Sequence, residues 1–192
     1  METMVAALAK KLISPCNAYM PTTHLRKLIR DVANFPKDGI LFKDITPLLK
    51  DPAALSMAVE LMANPFRGKG IHAVAGAESR GFIFGIAVAQ ALSCGFIPIR
   101  KRGKLPPPIR AVTYDLEYGQ DTLEVRDDAV SAGQKILMVD DLLATGGTMR
   151  ACVDLMKNLG ANVFGATVLI ELKALNGRAA LPGLEIHAPI VY

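Results

Sequence analysis

The chain has 192 residues, 51% hydrophobic and 21% charged, a balance that excludes a disordered or fibrous protein and suits one domain with its own core. The net charge is +4 and no run of five basic residues occurs, which argues against a nucleic-acid tail. Cys16, Cys94 and Cys152 form no CxxC pair, His24, His72 and His187 are scattered, and no apolar run approaches the ~20 residues that span a bilayer, so a disulfide scaffold, a His/Cys metal site and a membrane span are not expected.

In chain order, residues 1–20 hold one weak apolar patch, Met4–Leu8, followed by Lys10 and Lys11. A secretory signal has its basic residues before the apolar stretch, so this segment reads as a disordered extension or an upstream-start artefact, with Met20 an alternative start, and the protein as cytoplasmic. Residues 21–192 read as a single domain. Thr22 or Thr23 caps an expected helix over His24–Val32, where Leu25, Leu28, Ile29 and Val32 fall at helical spacing. Phe35–Gly39 breaks it, and Asp51-Pro52 opens a second helix to about Met62. Ile71–Ala75, Phe96–Ile99, Ile136–Val139 and Val163–Ile170 are short apolar runs of the kind buried in parallel sheets. Helical patterns at Phe82–Leu92 and Thr148–Leu159 lie between them, the latter ended by Gly160. This alternation predicts an α/β fold with a doubly wound parallel sheet. Ala111–Tyr118 and Asp121–Val125, joined at Gly119-Gln120, interrupt it as a hairpin behind the basic, proline-rich stretch Arg100–Arg110. Residues 100–126 thus read as an inserted lid. Ile186–Tyr192 reads as a last strand.

In open α/β sheets ligands bind at the carboxyl ends of the strands. After Ile136–Val139 comes Asp140-Asp141-Leu142-Leu143-Ala144-Thr145-Gly146-Gly147-Thr148, and then a helix. Glycines let backbone N–H groups approach a ligand, Thr145 and Thr148 add hydroxyl donors, and a helix N-terminus favours an anion. The string is therefore an anion cradle suited to phosphate. The paired carboxylates ahead of it suit ribose hydroxyls, which donate to them. It is not a P-loop, having no Gly-Lys-Thr/Ser, nor a dinucleotide fingerprint.

Val139–Thr148 resembles the phosphoribosyl pyrophosphate motif of the type I phosphoribosyltransferases, in the form used by those that act on adenine. Four more blocks agree in collinear order across about residues 24–175: Phe35–Leu49, Gly76–Phe82, Arg100–Pro106 and Tyr114–Gly119. The resemblance implies that family's parallel sheet, with a small hood from the N-terminal segment and a lid hairpin. It implies transfer of the 5-phosphoribosyl group to adenine, giving AMP and pyrophosphate. In that scheme Asp140 and Asp141 accept the ribose hydroxyls, and Ala144, Thr145, Gly146, Gly147 and Thr148 hold the 5′-phosphate. Ser79 and Arg80, with Arg100, Lys101 and Lys104, bind pyrophosphate, and Arg102 and Glu78 are left as neighbours. Leu41, Phe42 and Lys43, with Leu142, bind adenine; many relatives carry Arg where this chain has Lys43. Glu117 moves the base proton and Tyr118 helps the lid close. Mg²⁺ is expected to arrive on the substrate, with no dedicated protein cage. A homodimer is implied, with no nucleic-acid or membrane partner. Two alternatives share the cradle: a transferase for a 6-oxopurine, against which Phe35–Leu49 argues, and a phosphoribosyl pyrophosphate-binding regulator, which normally adds a DNA-binding domain.

Overall fold

A computed structural model describes residues 19–115 and 119–192. Most of the expected extension, residues 1–18, lies outside the described residues. The chain divides into two compact units, Met1–Met57 and Ala58–Tyr192.

The first unit contains helix α1 (Tyr19–Lys27), strands β1 (Arg30–Ala33) and β2 (Leu41–Asp44), helix α2 (Thr46–Lys50) and the start of helix α3 (Pro52–Ala63). The helix expected over His24–Val32 is corrected here: it ends at Lys27, and Arg30–Ala33 is a strand. Leu25 and Ile29 are buried, as the helical stripe requires, but Val32 is 38% exposed and pairs with Phe42 across an antiparallel ribbon. A β-branched residue fits that pleated position well. The turn between the strands has Asn34 and Gly39 at positive φ, and Gly39 N–H donates to Asn34 Oδ1 at 2.9 Å. The second helix begins as expected. Asp51 Oδ1 accepts from Ala54 N at 2.9 Å, and Pro52 occupies the first helical position.

The second unit is built on one sheet. Its strands are β3 (Ala73–Ala77), β4 (Gly95–Lys101), β5 (Ile109–Asp115), β6 (Gln120–Arg126), β7 (Lys135–Leu143), β8 (Asn162–Glu171), β9 (Ile186–His187) and β10 (Ile190–Val191). The order is β10-β8-β7-β3-β4-β6-β5, with β9 also on β8. The pairs β3–β4, β3–β7, β7–β8, β8–β9 and β8–β10 are parallel, whereas β4–β6 and β5–β6 are antiparallel. Helices α4 (Arg80–Ala91) and α5 (Gly147–Asn158) follow β3 and β7. Ile97, Ile99, Ile136, Met138, Val168, Met149, Val153 and Met156 are packed into one core. Ile136–Val139 is buried at every residue, the mark of a strand covered on both faces.

Several boundaries differ from expectation. β7 runs on through Asp140–Leu143, so the paired carboxylates lie within the strand, where Asp140 and Leu142 pair with Val168 and Ile170 of β8. β3 starts at Ala73 rather than Ile71. The last strand is two short ones, separated at Ala188-Pro189, since proline has no N–H for the ladder. Gly160 closes α5 at φ +84° as a C-cap glycine does.

Candidate functional site

β7 carries the chain to Leu143, Ala144–Gly146 turn away from the sheet, and α5 starts at Gly147. The turn depends on Gly146, at φ +87°. A Cβ there would run into the Gly177 carbonyl oxygen, and a Cβ on Gly177 into the Ala144 carbonyl oxygen. The segment Gly177–Ala180 therefore buttresses the loop from behind. Arg150 donates Nη1 to the Ala180 carbonyl at 3.2 Å and joins helix to buttress. Arg80 and the unbroken run Asp140–Met149 line a concavity of about 220 Å³. It contains every predicted phosphoribosyl-binding residue, Leu142 and one predicted pyrophosphate ligand.

Two carboxylates enter this concavity under strain of charge. Asp141 is buried, and Asp140 Oδ1 accepts from Asp141 N at 2.9 Å. Burial pushes both carboxyls above their usual range, Asp140 further because the Asp141 charge adds to the effect. Arg80 opposes this at Asp141, with its Nε 3.0 Å from Oδ2. Among the described residues Oδ2 nevertheless receives no hydrogen bond. A buried acceptor in that state is suited to hydroxyl donors or a cation. Gly81 lets the β3–α4 turn close on this pair, for a Cβ there would sit 3.0 Å from Asp140 Oδ1 and 3.2 Å from the Val139 carbonyl oxygen.

Arg100 and Lys101, like Arg80, are paired with acids. Arg100 donates to Glu78 from Nε at 3.1 Å and from Nη2 at 3.4 Å, and Lys101 N–H donates to the same carboxylate at 3.1 Å. These bonds hold the Glu78 carboxyl below its usual range. Glu78 is thus the holder of Arg100 rather than a bystander. Lys101 Nζ lies 3.2 Å from Asp121 Oδ2, and Lys104 is exposed. Ser79 stands just ahead of α4, next to Arg80.

Tyr114, which the sequence places in the Tyr114–Gly119 block without a role of its own, has its hydroxyl 3.3 Å from Thr148 Oγ1. It joins the hairpin to the cradle, and its burial raises the phenol's pKa. Gly146, Gly81 and Gly177 show why sequence reading missed the buttress: the partners of each glycine are remote in the chain. In the first unit Leu41 is 49% exposed, Phe42 stacks edge-on with Phe35 at 5.1 Å, and Lys43 is buried. Glu117 and Tyr118 lie outside the described residues.

A model of the phosphoribosyl transferase domain family matches residues 45–180. The adenine phosphoribosyltransferase of Methylococcus capsulatus is 55% identical over 168 residues, covering 88% of this chain and 98% of that one. That of Symbiobacterium thermophilum is 57% identical over 158 residues, covering 82% and 93%. Among solved structures, the adenine phosphoribosyltransferase of Thermoanaerobacter pseudethanolicus superposes with a TM-score of 0.86 at 45% identity, over 88% of this chain and 99% of that one. The Saccharomyces cerevisiae enzyme, complexed with an imino-altritol bisphosphate and adenine, gives 0.84 at 35% identity, over 88% and 98%.

Proposed function

The chain belongs to the phosphoribosyl transferase family, and from that premise we infer that it transfers the 5-phosphoribosyl group of phosphoribosyl pyrophosphate to adenine, giving AMP and pyrophosphate. The observation that carries the reading is the concavity itself. Paired carboxylates, one with a buried oxygen that receives no hydrogen bond among the described residues, stand beside a glycine-turned helix N-terminus, in a chain more than half identical to enzymes named for this reaction.

In this reading the ribose 2′ and 3′ hydroxyls donate to Asp140 and Asp141, which relieves two carboxylates that burial disfavours. The 5′-phosphate accepts from the N–H and hydroxyl groups of Ala144–Thr148. Arg80, Arg100, Lys101 and Lys104, beside Ser79, hold the pyrophosphate. Arg100 and Lys101 exchange their carboxylate partners for it. The C1′–O bond breaks, the pyrophosphate leaves with its electron pair, and a ring nitrogen of adenine bonds to C1′. Glu117 takes the proton that this nitrogen loses, and Tyr118 helps close the lid. Leu41, Phe42, Lys43 and Leu142 receive the base.

Mg²⁺ fits the donors present. No group of three or more His, Cys, Asp or Glu converges among the described residues, but Mg²⁺ needs only one or two carboxylates besides substrate oxygens and water. Asp140 and Asp141 would be the residues to offer them, and the ion would supply charge neutralisation to the leaving group. Cys94 and Cys152 are free thiols, which supports the cytoplasm as location. No helix among the described residues is long and apolar enough to cross a membrane. We place the protein as a homodimer. Ile83 and Ile86, 41% and 46% exposed on one face of α4, support this.

The test is product formation from phosphoribosyl pyrophosphate and Mg²⁺ with adenine, hypoxanthine, guanine or xanthine in turn. Adenine alone is expected to give nucleotide and pyrophosphate in equal amounts. Preference for a 6-oxopurine overturns the choice of base, and tight binding without turnover favours a regulator.

A further inference from the structure

Adenine recognition at residues 41–43 needs β2 to be held in one register, and the first unit contains a device for that. A two-stranded ribbon is marginal in water by itself. Here the register is Arg30↔Asp44, Asp31↔Lys43, Val32↔Phe42 and Ala33↔Leu41. Both charged pairs are ion pairs. Arg30 Nη2 lies 2.5 Å from Asp44 Oδ2, and Lys43 Nζ lies 2.6 Å from Asp31 Oδ1. The Lys43 side chain is only 6% exposed, so its ammonium is screened less than a surface lysine's. Asp44 is fixed in turn: its Oδ1 accepts from Thr46 N at 2.8 Å and Thr46 Oγ1 at 2.5 Å, tying β2 to the start of α2.

The order of the charges matters more than their number. A slip by one residue in one direction sets Arg30 opposite Lys43. A slip in the other direction sets Asp31 opposite Asp44. Like charges directly opposite destabilise a ribbon, and a one-residue slip also turns every side chain to the other face. A basic-acidic pair facing another basic-acidic pair in antiparallel sense therefore favours the observed register and penalises both neighbours.

We propose that Asp31 is a positioning residue for the base: by pairing with Lys43 and repelling Asp44 from the slipped position, it locks the register of the strand whose residues Leu41–Lys43 receive adenine. The proposal rests on the function given above. Asp31 itself contacts no substrate. Its side chain is 53% exposed and sits on the partner strand.

Asp31→Glu, Asp31→Asn and Asp31→Lys in the full chain test it, with KM measured separately for adenine and phosphoribosyl pyrophosphate, and with kcat and thermal midpoint alongside. Asp31→Glu keeps the charge, Asp31→Asn removes it, and Asp31→Lys repels Lys43 while attracting Asp44 in the slipped register. The adenine KM is expected to rise in that order, by about twofold or less, about fivefold and more than about tenfold, given the size of cross-strand charge pairs. The KM for phosphoribosyl pyrophosphate stays within about twofold throughout, a split that general destabilisation does not produce. If Asp31→Lys fails to fold, the order of the other two decides. Equal changes in both KM values, or an unchanged adenine KM in Asp31→Asn, overturn the proposal while leaving the function intact. A wild type that does not turn over adenine overturns both.

Discussion

The cradle at Ala144–Thr148 and the cationic wall at Arg100–Lys104 are assigned to the two ends of one substrate, but they are built by different means. The cradle is held by backbone. Gly146 turns it, Gly177 backs it, and buried core residues of β7 and α5 flank it. The wall is held by side chains in ion pairs, Arg100 on Glu78 and Lys101 on Asp121. Ion pairs at partly exposed positions are weak and exchangeable, whereas a backbone turn with no room for Cβ has no second arrangement nearby. A site for a group that stays needs the first kind, and a site for a group that departs gains from the second. The pyrophosphate is the part that leaves.

The largest effect is expected at Glu117, the residue proposed to take the base proton. Glu117→Gln should lower kcat by about 10²–10⁴-fold, the usual range for a placed acid–base group, with much smaller changes in either ligand's affinity. Pre-steady-state turnover beside equilibrium binding reads the two apart. A chemical step within about threefold of wild type would remove Glu117 from proton transfer, being far short of that range.

Next comes the cradle. Gly146→Val forces a β-branched residue to φ +87° and drives its Cβ into the Gly177 carbonyl. kcat/KM should fall by about 10²–10³-fold, comparable to losing a preorganised anion donor. Circular dichroism should still show a folded protein, because the clash falls on the Gly177–Ala180 buttress and not on the sheet. Near-normal efficiency would mean that the loop does not hold phosphate.

Asp140→Asn separates function from stability. Loss of a charge-assisted bond worth roughly 1.5–3 kcal/mol should weaken phosphoribosyl pyrophosphate about 10–100-fold and leave adenine little changed. The free protein should gain stability. Asp140's carboxyl is raised in the fold, so the stability linked to its neutral form is present at low pH and lost as pH rises through the folded pKa. Asparagine keeps the neutral form at every pH. The variant's thermal midpoint should therefore exceed wild type at pH 7, and the gain should shrink as pH falls toward the ordinary carboxylate range. A lower midpoint at pH 7 with intact substrate affinity would contradict both halves.

Glu78→Gln probes the wall. Glu78 is lowered in the fold by Arg100, so its contribution is present above the unfolded pKa and lost as pH falls through the folded one. Removing its charge frees Arg100 for pyrophosphate, and product affinity should rise about two- to fivefold, with kcat falling as release slows, within the range of exposed pairs. The effect should fade in high salt. Weaker pyrophosphate binding would instead make Glu78 the residue that positions Arg100.

How much of this was legible in the sequence follows the same division. Unbroken apolar runs such as Ile136–Val139 declared the parallel sheet, and Asp51-Pro52 declared a helix start, because both signals are local. The Asp140–Thr148 string was legible as one candidate site because the residues that line the concavity are adjacent in the chain. What failed was non-local. The stripe Leu25, Leu28, Ile29, Val32 fits a helix, but its last member pairs with Phe42 in a ribbon. The crowding at Gly146 was hidden too, because Gly177, which closes on it, lies some thirty residues on. Glu78 read as a neighbour because Arg100 is on another strand.

Tyr114 is the contact where the two constructions meet, and it carries the smallest expected effect. Its ring is half-buried on β5, its partner in the hairpin ladder is Asp121, and Asp121 holds Lys101. Its hydroxyl meets Thr148 Oγ1 at 3.3 Å, long for an O–H···O bond. Thr148 can donate its own proton to phosphate while accepting from Tyr114, so the phenol orients the threonine and also ties the hairpin to the cradle. Tyr114→Phe removes only that hydroxyl. A neutral hydrogen bond is worth about 0.5–1.5 kcal/mol, and a long one belongs at the lower end, so KM for phosphoribosyl pyrophosphate should rise about two- to threefold. Adenine KM should not move. Thr148→Val removes the acceptor, and in that background Tyr114→Phe should cost nothing further, since the two act as one unit. Additive losses would mean that Tyr114 reaches the substrate independently. No loss in either background would mean that the hairpin and the cradle work without this link.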